Sequence, residues 1–261
     1  MVLFTARLNV AYQGPAETVT TLIENQPTPS EPSNLEHAQK ISHLNDRYEQ
    51  LTPLQIIEDA FDNSFFGKVC AVSSFGAESA VLLHMLAQIA PATPIILIDT
   101  GKLFGETLRF STMLQHRLGL EDVRRVHPRK TDIDRIDPLG NLSGVSPNKC
   151  CQLRKSDVLD RALQPFQTWI NGRKRFQSDQ RSLLSIVEKD ASRLKLTPLA
   201  NWTAKNIAEY HSANNLPEHP LLSKGYASIG CFPCTSKIQT GQDPRSGRWS
   251  GIDKTECGIH T

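Results

Sequence analysis

The sequence lacks the segments that would tie the protein to a membrane or direct it out of the cell. None of its apolar runs approaches the roughly 20 residues needed to cross a bilayer. The N-terminus does not combine a basic stretch with an apolar one, as a signal peptide does. A net charge of +2 on 261 residues also lacks the large basic excess of a dedicated nucleic-acid binder. We therefore expect a soluble, cytoplasmic protein that binds no nucleic acid and whose anionic partner, if it has one, is small.

Two common nucleotide-binding motifs are also missing, because the chain has neither a Walker A loop nor a Gly-x-Gly-x-x-Gly fingerprint. What it has is the Ser-rich stretch 73–79, Ser-Ser-Phe-Gly-Ala-Glu-Ser, between a predicted strand and a predicted helix. Free backbone N–H groups and the helix dipole favour phosphate or sulfate at such a place. A Ser-rich turn also commonly serves only as a helix cap, with its hydroxyls satisfying backbone donors. The residues alone leave both interpretations open.

Cysteine is scarce, but five of the six cysteines stand in a pattern that core packing would not produce. Cys150 and Cys151 are adjacent, Cys231 and Cys234 flank a Phe-Pro pair, and Cys257 lies four residues from the C-terminus. In a reducing compartment such cysteines are more often metal-binding or catalytic than disulfide-bonded, and adjacent cysteines fit disulfide geometry poorly. The two pairs suggest ligands of an iron–sulfur cluster or of zinc, with four structural thiols as the alternative. The fifth cysteine is left free to react.

Predicted helices and strands alternate through the middle of the chain. Apolar runs predict strands near 69–72, 94–98, 123–127, 168–171 and 183–187, and helical spacing predicts helices near 52–62, 81–89, 106–118 and 151–163. This alternation favours an α/β fold, with a mostly parallel open sheet, helices on both faces and the ligand at the carboxyl ends of the strands. Cys70 lies within an apolar strand and is interpreted as a core residue.

Five further motifs stand in order along the chain, at residues 74–79, 98–107, 149–151, 231–234 and 256–260. Together they resemble the cluster-containing adenylyl-sulfate (APS) reductase branch of the assimilatory APS/PAPS reductase family, which has an adenine-nucleotide α-hydrolase-like fold. The match extends from about residue 47 to the C-terminus. The resemblance implies an oxidoreductase of sulfate assimilation that converts APS to sulfite and AMP. It further implies that Cys257 attacks the sulfate sulfur and that thioredoxin or glutaredoxin releases sulfite from the S-sulfocysteine.

The resemblance also implies roles for individual residues. A [4Fe-4S] cluster, favoured over zinc by the family match, would be held by Cys150, Cys151, Cys231 and Cys234, with an electrostatic and structural role. The substrate would be bound by Ser74, Gly76, Ser79, Lys149, Arg173, Arg245 and Arg248. Without the resemblance, Lys149 is a solvated surface lysine and the two late arginines belong to a charged loop. Whether Arg173 or Arg175 contacts the substrate stays open.

The neighbours of Cys257 act on its ionisation in opposite directions. The Glu256 carboxylate should hinder loss of the thiol proton, and a protonated His260 or an arginine should help it. The sequence therefore does not fix the pKa of this thiol.

Three parts of the chain are predicted. Residues 1–45, rich in polar residues and proline with little periodicity, form a flexible N-terminal extension; residues 46–240 form the sulfonucleotide-binding and iron–sulfur domain; and 241–261 form a mobile tail carrying the nucleophilic cysteine. Two other functions stay open: reduction of the 3′-phosphorylated substrate PAPS, alone or together with APS, and an iron–sulfur or zinc nucleotide sensor. A reactive thiol on a mobile tail argues against the sensor. The sequence leaves a homo-oligomer open.

Overall fold

The computed structural model describes residues 34–239, 241–251, 254 and 256–259. The strands are β1 Val69–Val72, β2 Ile95–Ile98, β3 Val123–Val126, β4 Thr168–Ile170, β5 Val187–Asp190 and β6 Arg193–Leu196. Within the described residues these six strands form one sheet of order β3-β2-β1-β4-β6-β5. Neighbouring strands run parallel, except that β5 is antiparallel to β6. The mostly parallel sheet predicted from the sequence is confirmed.

Helices cover both faces of this sheet. They are α1 Asn34–Tyr48, α2 Pro53–Asp62, α3 Ser79–Ile89, α4 Gly105–Leu118, α5 Lys130–Ile136, α6 Leu142–Val145, α7 Pro147–Cys151, α8 Asp157–Ala162 and α9 Ala204–Ala213. Successive side chains of a strand point to opposite faces, and the buried residues divide accordingly. Ala71 and Leu97 belong to the cluster beneath α2 and α3, whereas Cys70 and Ile96 belong to the cluster beneath α8. Cys70 is a fully buried core residue, as expected.

Most of the predicted elements appear close to their expected bounds. The helix predicted near 52–62 is α2, and it begins after Thr52, whose hydroxyl accepts the Gln55 N–H while the Gln55 side chain accepts the Thr52 N–H. The helix predicted near 151–163 starts earlier, at Pro147, because α7 runs through a π-helical turn at Gln152–Ser156 into α8. None of the described helices is both long enough and apolar enough to span a membrane.

The strand predicted near 183–187 is displaced, because β5 begins only at Val187. It forms a hairpin with β6, joined through Ala191, whose φ of 54° lies in the left-handed region. The residues before this turn are Glu-Lys-Asp. Because they are charged, a search for apolar runs does not identify this part of the chain as a strand. Helix α1 covers the outer edge of β5, where the Asn45 side-chain amide pairs with the backbone of Val187 at 2.8 and 3.0 Å.

The prediction of a flexible extension needs correction over residues 34–45. These residues belong to α1, which buries Leu44 and, just beyond, Tyr48 in the core. Residues 1–33 lie outside the described residues, so for them the prediction stays a prediction.

Candidate active site

The predicted anion loop follows β1, at the carboxyl edge of the sheet. Phe75 adopts φ 48°, and its N–H donates to the Ser73 hydroxyl at 3.1 Å. The Ser79 hydroxyl donates to the Gly76 carbonyl at 2.7 Å. Ser74 is exposed, and its hydroxyl is therefore open to a ligand from solvent.

Glycine at position 76 allows a later part of the chain to approach this loop. A side chain there would place its Cβ 3.3 Å from the Ile229 carbonyl oxygen. Ile229 lies two residues before Cys231, so the close approach brings the anion loop near one of the cysteine segments.

The four cysteines predicted as ligands lie around one cavity. Cys150, Cys151 and Cys231 are buried and Cys234 is half-buried. Burial raises the pKa of the Cys150 and Cys234 thiols. The cavity is lined by Thr100, Lys102, Ser143, Pro147, Cys150, Cys151, Arg154, Lys155, Cys231, Cys234 and Trp249. Two segments far apart in the sequence thus contribute thiols to one cavity.

A metal at this cavity stays a prediction. In the part of the chain that the structure describes, no group of three or more His, Cys, Asp or Glu side chains is placed to hold a metal ion. The donor set nevertheless consists of thiols, the side chains that iron–sulfur clusters use.

Positive side chains surround the cysteines. Lys102 and Arg154 line the cavity, where each donates to a backbone carbonyl, at 2.6 and 2.9 Å respectively. Arg248 donates to the Cys234 carbonyl at 3.2 Å, and burial lowers the pKa of its guanidinium. A Cβ on Gly230 would overlap the guanidinium group of Arg248, so glycine there makes room for the arginine. This surrounding charge suits a negatively charged occupant.

Arg154 also anchors the cysteine helix, meaning α7 and the π-helical turn that follows it (residues 147–156), through a buried ion pair. Its guanidinium donates to the Asp137 carboxylate at 2.7 and 3.3 Å, and both side chains are at least nine-tenths buried. Burial alone would raise the pKa of Asp137, but the bonds from Arg154 and from the Leu142 N–H outweigh it, so the pKa is lowered.

Replacing Asp137 with alanine should lower the free energy of unfolding by about 3–5 kcal/mol, because it leaves the Arg154 charge buried and uncompensated. Urea unfolding would measure the loss. The matched control is Asp132→Ala, which breaks an exposed pair with Arg135 at 3.2 Å and should cost less than about 1 kcal/mol. Equal effects of the two variants would contradict a structural role for the buried pair.

Cys257 lies against the cysteine helix, and its side chain is buried. The Lys155 ammonium donates to its Sγ at 3.3 Å, and the Ser156 hydroxyl donates to the Gly258 carbonyl at 3.0 Å. The structure thus brings the tail cysteine beside a cation that follows the cysteine pair in sequence.

The surroundings of Cys257 favour its ionised form. A hydrogen bond from Cys151, and then the charge of Lys155, hold the pKa of Cys257 well below the ordinary thiol value, although burial opposes them. For Lys155, burial acts to lower the pKa of the ammonium. The negative charges of Cys257 and Cys231 outweigh burial, and the pKa is raised. Both shifts favour a thiolate paired with an ammonium.

The other predicted substrate-binding residues differ in burial and in the residues that they contact. Arg173 is buried beyond the carboxyl end of β4, where its Nε donates to the Asn171 side chain at 3.0 Å and its guanidinium pairs with Glu188. Arg175 instead pairs with a carboxylate just after α1, at 2.6 Å. Lys149 is exposed on α7 and is not among the residues that line the cavity.

The end of the tail is only partly described. Arg245 lies 3.5 Å from the Glu256 carboxylate, whereas His260, the last residue of the predicted tail motif, lies outside the described residues.

Two residues of the site, Lys155 and Arg181, are not among those predicted from the sequence. Lys155 stands one helical turn after Cys151, and this i, i+4 spacing on a predicted helix is the available signal. Arg181 binds the carboxylate next to Cys257 from a 3₁₀ turn at Asp179–Arg181. No sequence signal points to it, because the two paired residues lie 75 positions apart.

Comparison with known proteins identifies relatives of this chain. Residues 68–237 match the phosphoadenosine phosphosulfate reductase domain. Adenosine 5′-phosphosulfate reductases of Mesorhizobium japonicum and Chelativorans sp. are 47% and 42% identical, over 85% and 88% of this chain and 88% and 95% of theirs. A phosphoadenosine 5′-phosphosulfate reductase of Gloeobacter violaceus is 38% identical over 84% of this chain and 93% of its own.

The fold also matches a solved structure. The phosphoadenylyl-sulfate reductase of Candida auris, crystallised with phosphate, superposes with a TM-score of 0.66 at 22% identity, covering 80% of this chain and 98% of that one. This likeness concerns the fold, a mostly parallel sheet covered by helices. Together, the domain match over most of the chain and the sequence identities show that this chain belongs to the phosphoadenosine phosphosulfate reductase family.

Proposed function

We propose that this protein is an adenylyl-sulfate reductase, which converts APS to sulfite and AMP at the expense of a dithiol such as thioredoxin or glutaredoxin. The observation that carries the proposal is the buried Cys257, which contacts the Lys155 ammonium, and Lys155 lines a cavity together with four other cysteines. Two relatives above 40% identity carry the name adenosine 5′-phosphosulfate reductase. This activity belongs to sulfate assimilation in the cytoplasm.

In the first step the Cys257 thiolate attacks the sulfate sulfur of APS. The Sγ–S bond forms, the bond from sulfur to the bridging phosphate oxygen breaks, and AMP leaves with the electron pair. The proton of the thiol has already been lost to solvent, and the Lys155 ammonium, 3.3 Å from Sγ, stabilises the anion. Cations beside the nucleophile also offset the negative charge of the approaching sulfate. The product on the protein is S-sulfocysteine.

In the second step an external dithiol releases sulfite. One of its thiolates attacks Sγ of Cys257, sulfite leaves with the electron pair of the S–S bond, and a mixed disulfide forms. The second thiol of the reductant then breaks the mixed disulfide and restores the Cys257 thiolate. The dithiol is oxidised by two electrons and the sulfur of APS is reduced by two. A tail that leaves its docked position would give the reductant access.

A [4Fe-4S] cluster held by Cys150, Cys151, Cys231 and Cys234 is the cofactor that we propose. The fit rests on the four thiols around one cavity and on Lys102, Arg154 and Lys155 in its lining. When bound, the cluster supplies structure and local charge rather than electrons. As a ligand, Cys151 would carry no proton to donate, so Lys155 would be the group that stabilises the Cys257 thiolate.

For the nucleotide, we propose that Ser74, Gly76 and Ser79 form the anion loop. Arg173, Arg245 and Arg248 would bind the phosphosulfate through charge-assisted hydrogen bonds. Lys149 is the weakest member of the predicted set because it is exposed. We propose that Lys155, which lines the cavity and lies 3.3 Å from Sγ of Cys257, contacts the sulfate in place of Lys149.

These two lysines give a matched pair of variants. Lys155→Ala should lower the rate of adduct formation by about 100-fold or more, because it removes the cation beside the nucleophile. Lys149→Ala removes the same charge from an exposed site and should change the rate by less than about three-fold. Single-turnover mixing with APS, followed by AMP release, measures both. A larger loss in the Lys149 variant would restore the sequence-based assignment.

A second candidate function is reduction of PAPS, which the name of the Gloeobacter violaceus relative favours. The additional 3′-phosphate would need basic contacts of its own, whereas the cysteine quartet favours APS. Steady-state kinetics of anaerobically purified protein with each nucleotide and thioredoxin decides between them. We expect sulfite and AMP from APS, and a much lower kcat/KM with PAPS. The reverse preference would overturn the proposed substrate.

A further inference from the structure

The tail is held at a second point, one residue before Cys257. The Arg181 guanidinium donates to both oxygens of the Glu256 carboxylate, from Nε at 2.6 Å and from a terminal nitrogen at 2.8 Å. Both side chains are only 10% exposed, and Arg245 adds its charge 3.5 Å from the same carboxylate. A bidentate, desolvated pair of this kind is far stronger than an exposed ion pair.

Arg181 is held in place by the protein body. Its guanidinium also donates to the Gln177 side-chain oxygen, and the Gln177 amide donates to Glu78 at 2.8 Å. Glu78 in turn accepts from the buried Lys174 at 2.6 Å. Arg181 is therefore oriented by contacts that do not involve the tail, and the carboxylate arrives at a preformed site.

Fixing Glu256 also fixes its neighbour. The carboxylate is held by Arg181 on one side of Cys257, and the Gly258 carbonyl is held by Ser156 at 3.0 Å on the other. Between these two points the backbone has little freedom, and Sγ of Cys257 comes to lie 3.3 Å from the Lys155 ammonium. Correct placement of a nucleophile is itself a large contribution to its rate.

We propose that Arg181 and Glu256 are positioning residues, whose ion pair docks the tail and delivers Cys257 to its reacting position. The inference rests on the proposed function, because attack by Cys257 is the step that docking serves. The proposal gives neither residue a bond to the substrate, because the two side chains are engaged with each other. The opposing idea is that the Glu256 carboxylate occupies the site of a substrate anion and must be displaced by it.

A double-mutant cycle with Arg181→Gln and Glu256→Gln tests the pair. Hydrogen exchange of the amides of residues 257–259 in the absence of substrate reports docking. Each single variant should exchange there about 30-fold faster, which corresponds to about 2 kcal/mol. The double variant should exchange no faster than either single one, because the two residues act as one unit. Glu256→Gln lies in the tail and leaves the folded domain intact, and Arg181→Lys, which keeps the charge, should restore part of the protection.

The second readout is kinetic. Single-turnover formation of the Cys257 adduct from APS should slow in both single variants, while the affinity for AMP stays within about two-fold of the parent value. The matched control is Lys205→Gln, which neutralises one charge of the exposed pair with Glu209 and should change neither readout. If the parent protein forms no adduct, the proposed function fails, yet the exchange measurements still decide whether the pair docks the tail.

Three results would overturn the proposal. The first is unchanged exchange at residues 257–259 in the single variants. The second is additive effects in the double variant, which would mean that the two residues act separately. The third is tighter binding of APS by Glu256→Gln, which would mean that the carboxylate competes with the substrate for the arginines.

Discussion

Replacing Cys257 with serine should abolish formation of the S-sulfo adduct and steady turnover of APS, with a loss on the order of 10⁴-fold or more, as for removal of other catalytic nucleophiles. A serine hydroxyl is not ionised at neutral pH, whereas the Lys155 ammonium, 3.3 Å from Sγ, favours the thiolate of Cys257 and acts to lower its pKa. Binding of nucleotide should persist, because Cys257 lies on the tail and the anion loop follows β1.

The measurement is mass spectrometry of the protein after incubation with APS and without reductant. The parent protein should carry a sulfite-sized adduct on the peptide containing Cys257 and should release AMP in a single burst. The matched control is Cys70→Ser, which changes a cysteine buried in β1 and should leave the adduct in place. An adduct on another cysteine, or steady turnover by Cys257→Ser, would contradict the mechanism while leaving the fold untouched.

Much of the fold can be predicted because it follows from local patterns. The apolar runs of β1 and β2 predict strands, and the capping residues before α2 predict where that helix starts. The β5–β6 hairpin escapes such patterns because its strands carry charged residues and its edge depends on α1, through Asn45 and Val187. Tertiary contacts of that kind leave no periodic trace in the sequence.

Some features of the candidate site can be predicted from the sequence and others cannot. The pattern of the two cysteine pairs, together with the family resemblance, predicts one set of ligands, and Cys150 and Cys231 line one cavity. The sequence does not show whether Lys149 or Lys155 approaches the nucleophile. Both lysines lie close to the cysteine pair in sequence, but this closeness does not say towards which side of the helix each side chain points. Successive residues of a helix point to different sides. Lys149, on α7, is left in solvent, while Lys155, in the π-helical turn that follows, reaches Cys257.

The Arg181–Glu256 pair shows a further limit of the sequence. The position of Glu256 beside Cys257 predicts a carboxylate that hinders ionisation of the thiol. In the structure its charge is neutralised by Arg181 and Arg245. Burial on its own would raise the pKa of Glu256, but the bonds from Arg181 outweigh it and the pKa is lowered. Its effect on the thiol is therefore through position, a role that only the folded chain reveals.

Serine at any one of the four cavity cysteines should remove or destabilise the proposed cluster and abolish most activity. Anaerobically purified parent protein should be brown and contain about four irons and four sulfides per chain, as expected of a four-cysteine cubane. Iron and acid-labile sulfide analysis, with the visible absorption spectrum, measures the loss. Cys257→Ser and Cys70→Ser are the matched controls and should keep the full iron content.

The physical reason lies in the balance of charge at the cavity. Lys102, Arg154 and Lys155 line it beside the cysteines, and Arg154 is already paired with Asp137. The two remaining like charges are stabilised when an anionic group lies between them. A cluster ligated by four thiolates supplies that charge, and a variant with three thiolates holds it less tightly. Zinc without sulfide in the parent protein would overturn the cofactor assignment. Full activity in a cluster-free variant would instead show that the reaction at Cys257 does not need the metal site.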